Sequence, residues 1–371
     1  MLEIADIFRQ AGAAYRKAFG SRMLPSHLKV MREVEDCRTA ALGGHLRECD
    51  HCDAPRYSYH SCKNRHCPKC QGDQTSRWLR MKRSRLLPCP YFLATFTLPA
   101  QLRPVVRTHQ KLLYAALMTA AAKSLLKLTG DSKYLGARPG LLAVLHTWTR
   151  DLRYHPHVHI LVTAGGWHEG DDPAWVYSKR PNFLLPARTL SPIFRAKMRD
   201  AVQTAGLLSE VSSTVWKKNW VVHLEHAGSG ERALEYLARY VFRIALVNSR
   251  LERFENGQVT FRYKDNHTQR TKHSTLEVSR FIARFLQHVL PKGFSKVRSY
   301  GLFSPTQKDQ LDRARAVLLA ASSAQIQDLS RHREALPTCR IAVANGDPRC
   351  PVCKIGFLRI VMTIPRTRPP P

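Results

Sequence analysis

Two histidines lie one residue apart inside an apolar run of the sequence, RYHPHVHILVTAGG at 153–166. Side chains alternate along a β-strand, so His157 and His159 point to the same face while Val158 points away. Two imidazoles placed in this way can converge on one metal ion. The alternative is a pair of hydrogen-bonded histidines on a solvent-exposed face. A further histidine, His155, precedes the pair.

Two tyrosines one helical turn apart form a second candidate site. The segment LEYLARYVFR at 234–243 places Tyr236 and Tyr240 at positions i and i+4 of a helix. A phenol can attack a phosphodiester while guanidinium groups bind the phosphate oxygens. The alternative is that both tyrosines are ordinary residues of an amphipathic helix. The arginines on the same helix face as the tyrosines are Arg232, Arg239 and Arg243.

Many of the cysteines are concentrated in one early stretch of the chain, where four of them form two Cys-x-x-Cys pairs. Cys49 with Cys52 and Cys67 with Cys70 can present four thiolates to one structural zinc ion, with sulfur ligands at about 2.3 Å. The basic residues around these pairs suit a platform that binds DNA. The remaining candidate ligands of the same stretch are enough for a second metal site; they are Cys37, His45, Cys62 and His66.

A third Cys-x-x-Cys pair lies near the end of the sequence. Cys350 and Cys353 form this pair, and Cys339 is its only evident third ligand. Three ligands leave a tetrahedral zinc set incomplete. A metal site at this end of the chain is therefore an open alternative.

The charge of the chain indicates a polyanionic partner. Lys and Arg number 59 against 28 for Asp and Glu, which gives a formal net charge of +31. Each phosphate that such a protein neutralises releases counterions and adds affinity for nucleic acid. A basic protein without such a partner is the alternative. No secretory signal is visible and no apolar segment is long enough to span a bilayer, so we expect a cytoplasmic protein without a membrane partner.

The elements that position these residues combine hairpins with separate helices. PYFLATFTLP at 90–99 is typical of a strand, and 141–149 with 157–165 predict an antiparallel hairpin. Asn256-Gly257 predicts a second hairpin, because this dipeptide suits a two-residue turn. Helices are predicted over 229–246 and, with Ser274 and Glu277 as a capping box, over 274–290. The pattern indicates an α+β fold with a central antiparallel sheet.

Taken together, these segments resemble the two-tyrosine HUH transposases of bacterial insertion sequences, the insertion-sequence-91 family. The likeness covers nearly the whole chain, and its motifs occur in the order that the family has them. They are SCKNRHCPKCQ, LLPCPYFLATFTLP, HTWTRDLRYHPHVHILV, YLARYVFR, FRYKD and FLQHVLPKGFSKVRSYG. The name HUH stands for histidine, hydrophobe, histidine, here His157, Val158 and His159. One small departure is TAGG, where members often have PGGG.

The resemblance implies a fold and a chemistry. We expect an N-terminal helix and zinc-binding, DNA-binding domain at 1–88, an HUH endonuclease core at 89–303 whose central antiparallel sheet carries the histidine strand, and a C-terminal helix with a cysteine-containing tail at 304–371. His157 and His159 would bind Mg²⁺ or Mn²⁺. Mg²⁺ prefers oxygen ligands, so Asp151 is the expected third ligand, with His146 and His155 as alternatives.

The implied function is a transposase that cuts and rejoins single DNA strands through 5′-phosphotyrosine intermediates in rolling-circle transposition. Tyr236 and Tyr240 would be the nucleophiles, with Arg239 and Arg243 on the phosphate, and the partners would be single-stranded element ends and target DNA near the bacterial nucleoid. A replication initiator or relaxase would use the same chemistry. A zinc-dependent regulator and a zinc hydrolase are alternatives from other classes. The oligomeric state is left open.

Overall fold

A computed structural model describes residues 2–242, 246–265, 268–329 and 348–367 of the chain. Its helices are α1 (Ile4–Phe19), α2 (Pro25–Asp36), α3 (Gln71–Arg83), α4 (Arg103–Thr108), α5 (Gln110–Thr129), α6 (Ala187–Thr204), α7 (Gly230–Phe242), α8 (Val278–Leu286) and α9 (Lys308–Leu329). Its strands are β1 (Gly44–Cys49), β2 (Pro55–Tyr59), β3 (Pro90–Thr97), β4 (Gly140–Trp148), β5 (Tyr154–Thr163), β6 (Gly165–His168), β7 (Ala174–Tyr177), β8 (Val222–Ser229), β9 (Leu251–Glu255), β10 (Gln258–Lys264), β11 (Thr271–Glu277), β12 (Val297–Gly301) and β13 (Leu358–Ile364).

Five strands form the central sheet in the order β12-β4-β5-β3-β8, and every neighbouring pair is antiparallel. The strand β3 and the hairpin of β4 and β5 are those that the sequence predicts. The helices α5, α6 and α7 pack on this sheet. The α+β class with a central antiparallel sheet is therefore confirmed.

Alternation along β5 gives the central sheet two different faces. Val158, Ile160 and Val162 are fully buried in the main apolar core, which α5 and α6 complete from that side. His159 and Leu161 point to the opposite face, where Leu161 joins an apolar cluster with residues of α7. The sheet thus separates a wholly apolar side from a side that carries the histidines and α7.

The sequence signals around residue 256 predict the hairpin correctly but not the start of the helix after it. Asn256 and Gly257 have φ values of 49° and 70°, as the tight turn between β9 and β10 requires. The helix expected from Ser274 begins at Val278, because the preceding residues pair with β10 as strand β11. Glu277 is its N-cap and accepts hydrogen bonds from two backbone N–H groups.

The N-terminal helices α1 and α2 join the body of the protein through an apolar cluster with α8. The rings of Phe8 and Phe285 meet edge to face with their centroids 5.2 Å apart. The buried residues Cys37, Cys67 and Cys70 belong to the same cluster. Apolar packing therefore continues across residue 88, where the sequence leads us to expect a domain boundary.

The end of the described chain returns to the N-terminal module. Strand β13 pairs antiparallel with β1, with Gly44 opposite Ile364 and Cys49 opposite Leu358, and β1 also pairs with β2. Residues 348–367 thus complete a three-stranded sheet in the module, whereas α9 packs on the central body through Leu311. The appendage expected at 304–371 is therefore divided between two parts of the molecule.

One helix among the described residues, α5, is long and apolar enough to cross a membrane by length and composition alone. Its most apolar window is 61% buried inside the protein. Leu113, Leu117 and Leu125 of this helix are fully buried in the main core. The apolar composition of α5 is thus explained by its packing against the central sheet.

Candidate functional site

Three imidazoles meet on the histidine-bearing face of the central sheet. His146 on β4 lies directly opposite His157 on β5, and His159 comes two residues later on the same face. The ring centroid of His146 lies 5.0 Å from that of His157 and 4.6 Å from that of His159, and the centroids of His157 and His159 are 4.9 Å apart. One ring nitrogen from each of the three lies within 4.8 Å of the others, a spacing that suits a shared metal ion. We call these residues the imidazole cluster.

Two hydrogen bonds hold the rings of β5 in orientation. The Nδ1–H of His157 donates to the carbonyl oxygen of His155 at 2.7 Å. Nδ1 of His159 and the hydroxyl of Thr95 on the neighbouring strand are 2.9 Å apart. Partners of this kind fix the tautomer and present Nε2 to a metal ion.

Burial keeps the imidazole cluster neutral. It lowers the pKa of His159 to about 4 and holds the pKa values of His146 and His157 well below the usual range, with the neighbouring imidazoles adding to the effect at both. Neutral imidazole is the form that ligates metal ions. The cluster is therefore ready to bind a cation at neutral pH.

The third member of the cluster is His146, not Asp151 as expected from a preference for oxygen ligands. Asp151 lies in the turn beyond β4, where its carboxylate pairs with Arg153 at 2.6 Å and accepts a hydrogen bond from Thr149. His155 also stands apart, because Nη2 of Arg103 donates to its Nδ1 at 2.7 Å. The register of β4 against β5 therefore favours His146 over Asp151 as the third ligand.

Helix α7 lies on the same face of the sheet as the imidazole cluster. Its buried residues share one apolar cluster with Leu93, Val144 and Leu161 of the sheet. Each of these three lies two positions along its strand from a residue of the site, which is Thr95, His146 or His159 respectively. The residues that α7 contributes are Ala233, Leu234, Leu237 and Ala238. This packing fixes the helix over the sheet through the apolar side that the sequence predicts.

The candidate nucleophiles belong to α7. Tyr236 is 39% exposed and lies on the side of the helix away from the buried leucines. Tyr240 lies one turn later in the same helix. The side chains of Tyr240 and Arg239 lie outside the described residues, as does all of Arg243. Their predicted roles stay predictions.

Two aromatic residues near the site prove to be part of the protein interior. The ring of Trp148 stacks on His146 with centroids 5.2 Å apart, and the amine of Lys296 lies 4.6 Å from the centroid of the Trp148 ring. The hydroxyl of Tyr154 lies 2.7 Å from that of Tyr114 in the core. Both residues are partly buried and pack against the apolar clusters of the protein.

Lys296 is a residue of the site that sequence reasoning missed. Burial lowers the pKa of its amine to about 7. The only sequence signal for Lys296, which directly precedes β12, is its place in the segment FSKVRSYG. This segment is one of those that carry the family resemblance, but the resemblance assigned no role to the lysine.

Eight of the cysteines in the described part of the chain form two groups of four, and the grouping differs from the expected one; Cys339 lies outside the described residues. The inner cluster contains Cys37, Cys62, Cys67 and Cys70, and the tail cluster contains Cys49, Cys52, Cys350 and Cys353. The single site expected from Cys49, Cys52, Cys67 and Cys70 is thus corrected to two half-sites in different clusters. The pairing of β13 with β1 brings Cys350 and Cys353 next to Cys49 and Cys52.

The sulfur atoms of both clusters have the spacing of a zinc site. In the inner cluster the Sγ atom of Cys70 lies 3.4 Å from that of Cys37 and 3.6 Å from that of Cys62. Two pairs of Sγ atoms in the tail cluster are 3.6 and 3.7 Å apart. Tetrahedral zinc with bonds of about 2.3 Å places its sulfurs about 3.8 Å from each other. Four thiolates in each cluster therefore fit one structural zinc.

Neither histidine expected in the second zinc site joins a cysteine cluster. Nε2 of His66 accepts a hydrogen bond from the backbone N–H of Leu290 at 3.3 Å, and burial holds the pKa of His66 well below its usual range. The ring of His45 packs edge to face on His60 with centroids 5.0 Å apart. In the inner cluster, Cys67 and Cys70 take the two ligand positions that we expected His45 and His66 to fill.

Two family models match this chain. The model described as "Putative transposase" matches residues 140–310, which include β4, β5 and α7. The model described as "Transposase zinc-binding domain" matches residues 7–98, which include the inner cluster. These matches and the cysteine geometry support structural zinc in the N-terminal module.

Two relatives extend the likeness over most of the chain. "Putative transposase y4qJ" of Sinorhizobium fredii is 36% identical over 95% of this chain and 93% of its own length. The "Transposase for insertion sequence element IS801" of Pseudomonas savastanoi pv. phaseolicola is 30% identical over 75% of this chain and 70% of its own length. No solved structure matches the chain significantly. The chain therefore belongs to the insertion-sequence-91 family of transposases.

Proposed function

We propose that the protein cuts and rejoins single DNA strands through 5′-phosphotyrosine intermediates, and so carries out rolling-circle transposition with an HUH core. The observation that carries this proposal is the meeting of three neutral imidazoles on the sheet face over which the tyrosine helix packs. A metal-binding group beside a helix with two phenols is suited to phosphoryl transfer. The net charge of +31 suits a DNA substrate acted on in the cytoplasm, at the nucleoid.

In the proposed cleavage step, the phenol oxygen of Tyr236 or Tyr240 attacks the scissile phosphorus. The new bond joins tyrosine oxygen to phosphorus, and the bond between phosphorus and the 3′ oxygen breaks. The phenol proton leaves to solvent, and the 3′ oxygen takes up a proton to become a 3′-OH. Arg239 and Arg243 would bind the phosphate oxygens. In rejoining, a 3′-OH attacks the phosphotyrosine and restores the phenol.

The imidazole cluster would hold the divalent cation. A bound cation supplies Lewis-acid polarisation of the scissile phosphate. Three nitrogen donors fit Mn²⁺ better than Mg²⁺, since imidazole suits transition metals and Mg²⁺ prefers oxygen. We therefore expect Mn²⁺ to be the more tightly bound of the two ions, and cleavage should begin at a lower concentration of Mn²⁺ than of Mg²⁺.

The deciding experiment is to trap the covalent intermediate. The full chain is incubated with a single strand that carries the element end and is labelled on the 3′ side of the cleavage site, and adducts are separated under denaturing conditions. Tyr236→Phe with Tyr240→Phe should abolish the adduct, and peptide mapping of the wild type should place the nucleotide on one of these residues. Tyr177→Phe, at an exposed tyrosine of β7, is the matched control. An adduct that persists in the double variant would refute the proposal.

The alternative, a replication initiator or relaxase, shares every step up to the adduct. Similarity to transposases over 95% of the chain favours transposition. The two functions differ in the step after cleavage, because a transposase joins the element end to a separate target strand. A strand-transfer reaction with two differently labelled oligonucleotides distinguishes them, since an initiator or relaxase returns only re-closed donor.

A further inference from the structure

Half of the tail cluster lies outside the part of the chain that the zinc-binding family model covers. That match ends at residue 98, whereas Cys350 and Cys353 lie far beyond it. Two ligands come from the last residue of β1 and the turn after it, and two from the turn before β13, so the cluster joins positions 298 and 304 residues apart. Its composition of four thiols is complete without any residue of the inner cluster.

The surroundings of the tail cluster are built for thiolates. The backbone N–H of His51 lies 3.4 Å from Sγ of Cys49, and that of Gly356 lies 3.4 Å from Sγ of Cys353. Backbone donors of this kind stabilise metal-bound sulfur.

A tight approach of the two turns accompanies the cluster. A Cβ atom at Gly356 would lie 2.6 Å from Sγ of Cys49 and 2.6 Å from Oδ1 of Asp50. The carboxylate of Asp50 accepts a hydrogen bond from the backbone N–H of Phe357 at 2.7 Å and pairs with Arg359 at 3.1 Å. The turn after β1 and the turn before β13 are thus in close contact beside the sulfur atoms.

We propose that the tail cluster is a second zinc site that fastens the C-terminal strand to the N-terminal module. Zinc in this site holds β13 in register on β1, and its loss releases the strand from the sheet. The metal then links two segments that the chain itself connects only through the whole catalytic body. This site is independent of the chemistry proposed for the imidazole cluster, so either proposal can fail alone.

Metal analysis of the full chain tests the site directly. The wild type should carry two zinc ions per chain, one for each cysteine cluster, and the Cys350→Ser, Cys353→Ser variant should carry one. Cys89→Ala changes a cysteine outside both clusters and should keep two. Equal zinc content in the wild type and the double variant would overturn the proposal.

Hydrogen exchange tests the fastening. In the double variant, amides of 44–49 and 358–364 that bond across β1 and β13 should exchange at least tenfold faster, while those of β5 keep their wild-type rates. Unchanged exchange in β13 would show that zinc does not hold the strand.

A milder variant covers the case in which the double variant does not fold. Gly356→Ala keeps all four ligands but places a methyl group against Cys49, so the second zinc should be lost to a chelator more quickly than from the wild type. Gly20→Ala is the control, because a Cβ there meets nothing within 4 Å. Equal zinc release from both variants would argue against the site.

Discussion

The cysteine clusters and the imidazole cluster gather metal ligands in opposite ways. The cysteines lie mostly on turns and loops, and the tail cluster draws on both ends of the described chain. The histidines lie on two adjacent strands of a buried sheet, where the strand register alone places them together. Each cysteine cluster offers four ligands and closes a tetrahedral shell, whereas three imidazoles leave positions for other groups. The first arrangement suits holding the chain, and the second suits holding a substrate.

The cysteine thiols and the imidazoles also differ in what they must do with their protons before a metal binds. Thiols must lose protons to bind zinc, and the metal site is then part of folding. The imidazoles are already neutral because the protein interior lowers their pKa values. The imidazoles of the sheet are therefore neutral before a metal binds, whereas the thiols of a cysteine cluster release protons as their metal binds.

The largest effect should result from breaking the inner cluster. Cys67→Ser removes a fully buried ligand beside the apolar contacts of α1, α2 and α8. A structural zinc site contributes folding free energy, and a loss of about 4 kcal/mol lowers Tm by roughly 5 °C in a chain of 371 residues that unfolds as one unit. Scanning calorimetry with zinc analysis measures it. An unchanged Tm together with unchanged zinc content would remove Cys67 from the ligand set.

The imidazole cluster should respond in activity and not in zinc content. His159→Ala removes one of three ligands, so strand cleavage should fall by about 10³-fold, since metal polarisation of a phosphoryl group is worth several kcal/mol. Both cysteine clusters should keep their zinc. His168→Ala, at an exposed histidine of β6, is the control. Cleavage at the wild-type rate in His159→Ala would separate the cluster from catalysis.

A smaller effect should result from loosening one imidazole without removing it. Thr95→Val keeps the shape of the side chain but removes the hydroxyl 2.9 Å from Nδ1 of His159. Loss of such a partner weakens metal affinity by about 10- to 100-fold. Titration with Mn²⁺ measures the shift, with Thr97→Val on the same strand for comparison. Equal affinity in wild type and Thr95→Val would mean that the hydroxyl does not orient the ring.

The smallest effect should be that of mild acid on the imidazole cluster. Three imidazoles with ordinary pKa values near 6.5 would lose about 10³-fold in metal affinity between about pH 7.0 and 5.5. Burial lowers the pKa of His159 to about 4 and the other two well below the usual range. The three imidazoles thus stay unprotonated between about pH 7.0 and 5.5, and the affinity of the cluster for Mn²⁺ should change by less than about threefold. A drop of the larger size would show that the rings are hydrated.

Local patterns in the sequence predict much of the fold and the β5 half of the site. Alternation in HPHVHILV gives the strand and the shared face of His157 and His159, and the spacing in YLARYVFR gives a helix with one apolar side. The position of His146 could not be predicted in the same way. Counting outward from the turn at 149–153 places it opposite Pro156, and a register shift between His146 and Trp148 brings it opposite His157.

The grouping of the cysteines could not be predicted from local patterns. The spacing of Cys49-x-x-Cys52 and Cys67-x-x-Cys70 indicates half-sites but not which halves share a metal, because the choice depends on strand pairing. Cys350 reaches Cys52 only through the antiparallel pairing of β13 with β1, and no feature of either segment alone predicts that pairing. Ser274 shows the same limit, since cross-strand bonds with β10 outweigh a good capping pattern there.

The order of synthesis gives the tail cluster a particular history. Cys52 leaves the ribosome 298 residues before Cys350, which at roughly 5–20 residues per second is a delay of about 15 to 60 s. During that interval Cys49 and Cys52 belong to an incomplete ligand set, while the inner cluster already has all four of its cysteines. A chain that stops before residue 350 would never close the second set, so completion of this site reports that translation has reached the last strand.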